Sequence, residues 1–360
     1  MKSKNTLVAI AVGLVLAGCG GGGSDSGSPV NQNPPPPVVV VPPPVVVDPN
    51  ALQNDVAAPS YSAGTAQLAA FNAINNARAT YGIGRLAENA ALNTAANNHA
   101  LYIRGRLEAG DYTAVDHFED PAKPGFTGRT PLDRVQFAKY DIAAGNGAGE
   151  NLSSVVEVDG VSTVPGAVAV EVLLSGPYHR FGLFDASRDV GLGHSTIRVN
   201  GEGGIRHTLV VNSSLSRGTQ GQLPAKDWIG VWPADKAIGV LYSFGGETPN
   251  PIPSNGGACA GYPVSIQVKD GQLLTVGSFT ITETVSGAAV RAQLSTPSTD
   301  ANPAFARANT AYLIPYAPLK LNTNYTVRFA GARDGTVVDK TWTFTTRPDN
   351  VKLVYGCDPS

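Results

Sequence analysis

The chain has 360 residues, of which 42% are hydrophobic, enough apolar surface for more than one buried core. Its 26 basic and 28 acidic residues leave a formal net charge of -2. Because nucleic acid binding requires an excess of basic residues against phosphate, this balance excludes nucleic acid as an expected partner.

The first eighteen residues have the pattern of an export signal. A short basic head with Lys2 and Lys4 precedes an apolar run at residues 7–16 that is too short to span a bilayer. The run ends in "LAGC", which resembles bacterial lipoprotein signals. This resemblance implies that residues 1–18 are removed and that lipidated Cys19 anchors the chain without spanning the membrane. Gly20 then favours the outer membrane in a Gram-negative cell; the alternative is plain secretion with a free cysteine.

Residues 19–60 are predicted to be a tether. The segment begins with "GGGGSDSGS", which is flexible, and continues with "PPPPVVVVPPPVVV", which favours stiff polyproline II. Neither composition buries enough apolar area to fold by itself. We therefore expect residues 19–60 to hold the folded part away from the cell envelope.

Residues 61–222 are predicted to form an α+β domain. Apolar periodicity indicates helices at residues 65–81, 92–103, 130–135 and 165–175, the last apolar almost all round with Glu171 as its only charge. Strand-like runs follow at residues 189–199 and 206–212, on either side of the turn "NGEGG". Helices followed by strands favour a layered α+β arrangement.

Residues 223–360 have a different pattern, with short β-rich runs separated by turn residues. The runs are "YPVSIQV", "SFTITET", "AAVRAQLS", "TAYLIPY", "NYTVRFAG" and "KTWTFTT". This spacing predicts an all-β sandwich, and the segments "LNTNYTVRF", "DGTVVDKTWTFTT" and "VWPADKAIGV" resemble bacterial Ig-like modules. Cys259 and Cys357 lie near the two ends of this module, and an exported protein favours a disulfide between them. Two unpaired thiols are the alternative.

All five histidines lie in the predicted α+β domain. His99 lies on the apolar face of a helix, where a buried or supporting role is expected, and His207 alternates with apolar residues and is expected to point inward. His194 is expected to be structural or exposed. His117 and His179 have polar contexts, "VDHFED" and "SGPYHR", that favour a cleft.

The ordered set "AANNHALYI", "HF", "PGFTGRTPLDR", "GENLSS", "SGPYHR" and "DVGLG" resembles the CAP superfamily, which includes cysteine-rich secretory proteins, antigen 5 and pathogenesis-related proteins. The resemblance covers residues 65–215. It implies an α-β-α sandwich with a cleft lined by a His, Glu, Glu, His tetrad. The matching residues here are His117, Glu150, Glu171 and His179; Glu171 lacks the tryptophan that usually neighbours this glutamate.

Two functions follow from this tetrad. Imidazoles suit Zn²⁺ or another divalent cation, with His117 and His179 as metal ligands and Glu150 and Glu171 as carboxylates that orient them or activate a water. One hypothesis is therefore a metal-dependent hydrolase, although the sequence has neither an "HExxH" nor a "GxSxG" motif. The favoured hypothesis is an envelope protein that binds a lipid, envelope or protein ligand in the cleft. Whether the chain is an enzyme stays open at this point.

Overall fold

A computed structural model describes residues 48–158, 165–198, 204–255 and 259–348. These described residues belong to one compact unit. We refer to residues 61–222 as the α/β region and to residues 223–348 as the β region. The helices are α1 (Ala66–Tyr81), α2 (Ala90–Glu108), α3 (Pro131–Phe137), α4 (Pro165–Ser175) and α5 (Pro177–Leu183). The strands of the α/β region are β1 (Ala87–Glu88), β2 (Gly149–Val158), β3 (Asp189–Arg198) and β4 (Gly204–Ser214).

The β region contains ten strands among its described residues. They are β5 (Ile229–Trp232), β6 (Ala237–Val240), β7 (Ser243–Phe244), β8 (Ala260–Gly261), β9 (Val264–Val268), β10 (Leu274–Glu283), β11 (Ala292–Ser295), β12 (Thr310–Pro315), β13 (Asn324–Arg333) and β14 (Thr336–Thr346). The chain is therefore a mixed α and β protein with several sheets, compatible with the predicted α+β class.

The predicted helices of the α/β region are confirmed, and their ends have the expected caps. The Thr65 side chain accepts from the Leu68 amide at the start of α1, and Gly82 ends this helix in the left-handed conformation. Thr130 and Asp133 form a capping box at the start of α3, with Pro131 in the first turn. Local sequence chemistry therefore fixes where these helices begin and end.

Helices cover both faces of the sheet in the α/β region, whose strand order is β1-β3-β4-β2. Apolar residues of β4 alternate between the two faces: Leu209 and Val211 belong to the core beneath α1 and α4, whereas Val210 belongs to the core beneath α2. The backbone of α2 lies so close to β3 that a Cβ on Gly191 would be 2.0 Å from a backbone atom of Leu92. Only glycine permits this approach.

Two four-stranded sheets enclose the core of the β region. One has the order β10-β13-β14-β6 and the other β11-β12-β9-β5. The first sheet contributes the fully buried Trp342, Phe344 and Val327 to this core. The alternation of buried and exposed residues along β14 is the pattern expected for a strand with one face on a core.

The α/β region and the β region share a tightly packed boundary. Tyr81 at the end of α1 stacks on Phe184 with ring centroids 4.2 Å apart, and its hydroxyl donates to the Gln267 side chain on β9. Trp228 packs edge-on against Tyr81 and donates its ring N–H to the Tyr81 carbonyl. Aromatic packing of this kind favours a fixed arrangement of the two regions.

Several predictions concern residues outside the described part of the chain. The export signal, residues 1–18, and the lipidation site Cys19 lie there, as does Cys357, so the predicted disulfide with Cys259 stays a prediction. The end of the predicted tether is described and contacts the α/β region: the Gln53 side chain donates to the carbonyls of Arg85 and Arg188. Within the described residues, no helix is both long and apolar enough to cross a membrane.

Candidate functional site

The structure brings two of the four predicted tetrad residues together. His117, in the loop before α3, has its Nδ1 3.0 Å from Oε1 of Glu150, the second residue of β2. His179, in the first turn of α5, instead has its Nδ1 2.7 Å from Oε2 of Glu247 in the β region. Glu171, on α4, has a carboxylate oxygen 3.7 Å from the Arg347 guanidinium. The four side chains are therefore distributed over more than one site.

Glu150 is the centre of a buried polar cluster. Its side chain is 1% exposed. Its carboxylate accepts from Nη2 of Arg134, which lies 2.8 and 2.7 Å from its two oxygens, and from Nδ2 of Asn212 at 3.0 Å. The antiparallel register of β2 and β4 places Glu150 directly opposite Asn212, and α3 supplies Arg134. A strand and a helix thus position the partners of one carboxylate.

The electrostatic surroundings keep Glu150 ionised. Burial by itself raises the pKa of this carboxyl group, because a charged group loses its hydration. The hydrogen bond from His117 and the positive charges of His99 and Arg134 outweigh burial and lower the Glu150 pKa to about 2. Glu150 is therefore a carboxylate throughout the physiological pH range.

A second buried imidazole–carboxylate pair, between His99 and Glu119, lies beside the first. His99 Nδ1 is 2.9 Å from Glu119 Oε1, and His99 Nε2 is 2.9 Å from the Asp116 carbonyl oxygen. Both ring nitrogens therefore have an oxygen within hydrogen-bonding distance, and the tautomer decides which of them donates. Glu119 also accepts from the backbone N–H of Thr127 at 2.7 Å. The expected buried role of His99 is confirmed.

Arg134 links the two buried carboxylates. Its side chain is fully buried, with Nη2 on Glu150 and Nε 3.9 Å from Glu119. Arg134 thus supplies one buried cation near two buried carboxylates, and buried charges require such pairing. Arg134 lies in the motif "PLDR", but no local pattern in the sequence distinguishes it from a surface arginine.

His117 is the exposed end of this cluster. Its side chain is 35% exposed, and its carbonyl accepts from Arg134 Nη2 at 3.0 Å. Next to it, Phe118 is 55% exposed, and Phe126, adjacent to the Thr127 amide that binds Glu119, is 38% exposed. An imidazole and two aromatic rings of the segment between α2 and α3 are therefore exposed to solvent.

A third histidine cluster lies on the sheet of the α/β region. His207 Nε2 is 3.0 Å from Glu157, and its Nδ1 is 3.1 Å from Nε2 of His194. Burial, and then the charge of His207, lower the His194 pKa to about 4. His194 and His207 thus form a hydrogen-bonded chain from Glu157, consistent with the structural roles expected for them.

The donor set around Glu150 does not fit a divalent cation in this arrangement. The Arg134 guanidinium contacts both Glu150 oxygens and would repel a cation that shared them. Across the described ranges, no group of three or more His, Cys, Asp or Glu side chains is arranged to hold a metal ion. The groups near His117 that are open to solvent include its imidazole edge, the Phe118 ring and the carboxylates of Asp116 and Asp120.

The chain is thus a mixed α and β protein in which His117, Phe118 and Phe126 are exposed near a buried cluster formed by Glu150, Arg134 and Glu119. Comparison with known proteins adds no relative: no protein-family model matches the chain, and no curated protein matches it significantly. The contacts of the site and the motifs of the sequence therefore support the functional proposal.

Proposed function

We propose that this chain is a CAP-type binding protein of the bacterial envelope. In this proposal, Cys19 carries a lipid anchor, residues 61–222 form a CAP α-β-α sandwich, and residues 223–360 form an Ig-like module. The ligand is an envelope lipid, or a protein that presents similar apolar chemistry. The ordered motifs of the α/β region and the helices on both faces of its sheet support this assignment.

One observation carries the choice of binding over catalysis: both carboxylates of the site are buried and paired, whereas His117 and the neighbouring phenylalanines are exposed. A general base must reach the proton it removes. Glu150 accepts from Arg134, Asn212 and His117 and has almost no exposed surface. Its role in this proposal is to orient His117, whose ring contacts the polar group of the ligand.

Phe118 and Phe126 supply the apolar part of the recognition surface. Exposed aromatic side chains offer large contact areas to an acyl chain or an apolar protein surface. A lipid fits both features, because its headgroup has acceptors for imidazole and its chain covers the rings. We therefore place lipids ahead of proteins as the ligand class.

The test is the lipid that copurifies noncovalently with the full-length chain, extracted and identified by mass spectrometry. We expect at least a fivefold lower lipid content in the Phe118→Ser/Phe126→Ser double variant. The matched control is Val285→Ser, which removes a fully solvent-facing apolar side chain of the β region. Equal lipid content in the double variant and the control would contradict the proposed surface.

The alternative, a metal-dependent hydrolase, is tested separately by zinc analysis. We expect wild type and the His117→Ala/His179→Ala double variant to contain equally little zinc. One zinc per chain in wild type, lost in the double variant and accompanied by turnover of peptide, ester or glycan substrates, would support the hydrolase instead.

A further inference from the structure

The loop that leads into β2 contains an Asn-Gly step, Asn146 and Gly147, that the proposed lipid surface does not use. Both residues are exposed. Two hydrogen bonds anchor the loop on either side of Asn146: the Ala143 amide donates to the Leu215 carbonyl at 2.8 Å, and the Gly147 carbonyl accepts from the Ser214 hydroxyl at 3.0 Å. The Asn146 side chain is therefore open to solvent beside an anchored stretch of backbone.

The backbone N–H of Gly147 is available to react with the Asn146 side chain. Neither this N–H nor the Asn146 carboxamide has a hydrogen-bond partner in the part of the chain that the structure describes. A deprotonated backbone nitrogen is a nucleophile, and the carboxamide carbon of the preceding asparagine is an electrophile within its reach. Because the Gly147 N–H is not held in a backbone hydrogen bond, it can lose its proton to hydroxide.

The surroundings of Gly147 leave this approach unobstructed. Glycine has no side chain, and even a Cβ at this position would have no described heavy atom within 4 Å. On the other side of Asn146, Gly145 has a left-handed backbone with φ of 79°, and the Asn146 amide closes the turn by donating to the Ala143 carbonyl at 3.1 Å. The loop therefore presents the asparagine side chain and the next nitrogen together in solvent.

From these features we propose that Asn146 is a site of spontaneous deamidation, with water as the co-reactant. The Gly147 nitrogen bonds to Cγ of Asn146, the Cγ–Nδ2 bond breaks, and the amide nitrogen leaves as ammonia with the proton that Gly147 lost. Water then opens the cyclic succinimide at either carbonyl. Opening at Cγ gives aspartate and opening at the backbone carbonyl gives isoaspartate, so either product adds a negative charge to the loop.

Exposed asparagines elsewhere in the chain lack these features. Asn72 and Asn76 are exposed on α1, but the next backbone N–H of each lies within the helix, where it donates to a carbonyl one turn earlier. Each is also followed by alanine instead of glycine. These two asparagines are therefore internal controls for the reaction at Asn146. The other two Asn-Gly steps, at 200–201 and 255–256, include residues outside the described ranges.

The experiment is incubation of the purified full-length chain, followed by peptide mapping with mass spectrometry and enzymatic methylation of isoaspartate. We expect Asn146 to convert to a mixture of aspartate and isoaspartate. The conversion should be severalfold faster at about pH 8.5 than at about pH 6, because the nucleophile is the deprotonated nitrogen. Asn72 and Asn76 should stay unmodified over the same period.

Two substitutions in the loop test the proposed chemistry. Gly147→Ala should keep the fold, because its Cβ enters open space and the φ of Gly147 lies outside the left-handed region, and it should slow the reaction by about tenfold. Asn146→Gln should abolish the reaction at this position, because glutamine must close a larger ring. Asn76→Gln is the matched control and should leave the rate at Asn146 unchanged. Thermal unfolding of each variant checks that it is folded.

Three results would overturn the proposal: no mass change at Asn146 at the higher pH, conversion at Asn146 no faster than at Asn72, or an unchanged rate in folded Gly147→Ala. Modification found only at the other two Asn-Gly steps would also overturn it. Because the lipid test uses Phe118 and Phe126, either proposal can fail without the other.

Discussion

Two imidazole–carboxylate pairs, His117–Glu150 and His179–Glu247, have nearly the same geometry but different positions in the molecule. In each pair Nδ1 faces a carboxylate that is 1% exposed, at 3.0 Å and 2.7 Å. The first pair lies entirely in the α/β region and ends at an exposed ring. The second pair joins α5 to the β region.

The surroundings of the two carboxylates explain this difference. Glu150 is held by Arg134 and Asn212 within the α/β region. Glu247 also accepts from the backbone N–H groups of Tyr178 and His179, at 3.0 and 3.1 Å, and so caps the start of α5 from across the boundary. The His117–Glu150 pair therefore ends at an exposed ring, whereas the His179–Glu247 pair connects the two regions inside the molecule.

Removing Arg134, the cation that Glu150 shares with Glu119, should have the largest effect on the free energy of unfolding. Arg134→Met leaves Glu150 and Glu119 buried with too little positive charge, and we expect the free energy of unfolding to fall by about 3–5 kcal/mol. Urea denaturation measures this change. The control Arg104→Met removes an exposed helical ion pair with Glu108 and should cost under about 0.5 kcal/mol. Similar losses in both variants would show that Arg134 does not hold the buried cluster together.

Acid should weaken the first pair in a defined pH window. The Glu150 pKa is about 2 in the folded chain, below its ordinary 4.5, so the unfolded chain binds a proton first as pH falls. The contribution of Glu150 to the free energy of unfolding, roughly 3 kcal/mol, is fully present above about pH 4.5. It is lost as the pH falls towards 2. Denaturation series at several pH values should show a shallower decline for Glu150→Gln. A decline as steep as that of wild type would assign the acid sensitivity to other groups.

Breaking the second pair should loosen the boundary between the regions. Glu247→Ala removes the acceptor for His179 and for two backbone N–H groups, and we expect a loss of about 2–3 kcal/mol. Calorimetry should show a broader or divided unfolding transition, because the β region loses a contact to α5. The conservative Glu247→Gln keeps an acceptor and should lose less. A single sharp transition with unchanged midpoint in Glu247→Ala would refute this role.

The smallest expected effect tests a histidine outside both pairs. The His194 pKa is about 4 in the folded chain against an ordinary 6.5, so protonation favours the unfolded chain. Stability should fall as pH decreases from about 6.5 to 4, by about 2 kcal/mol after allowing for partial solvent screening, and should not change above that window. His194→Gln should remove this slope in denaturation curves. An identical slope in the variant would contradict the assignment.

The sequence could predict the elements but only part of the site. Caps and apolar periodicity located α1, α2, α3 and α4, because these signals act within a few residues. The strand β2 and the short helix α5 were not predicted. The segment "GENLSS" is mostly polar and lacks the apolar alternation that would predict strand β2. Helix α5 has only seven residues, too few to show a clear apolar period.

Local patterns determined much about this protein by themselves: its charge balance, the helix ends, and the contrast between the helical and β-rich regions. The tertiary structure alone decided that Arg134 joins Glu150 to Glu119 and that Glu247, 68 positions along the chain, takes His179 as its partner. The physical reason is that buried charges select partners by proximity in space. Sequence spacing does not encode that proximity once two packed regions meet.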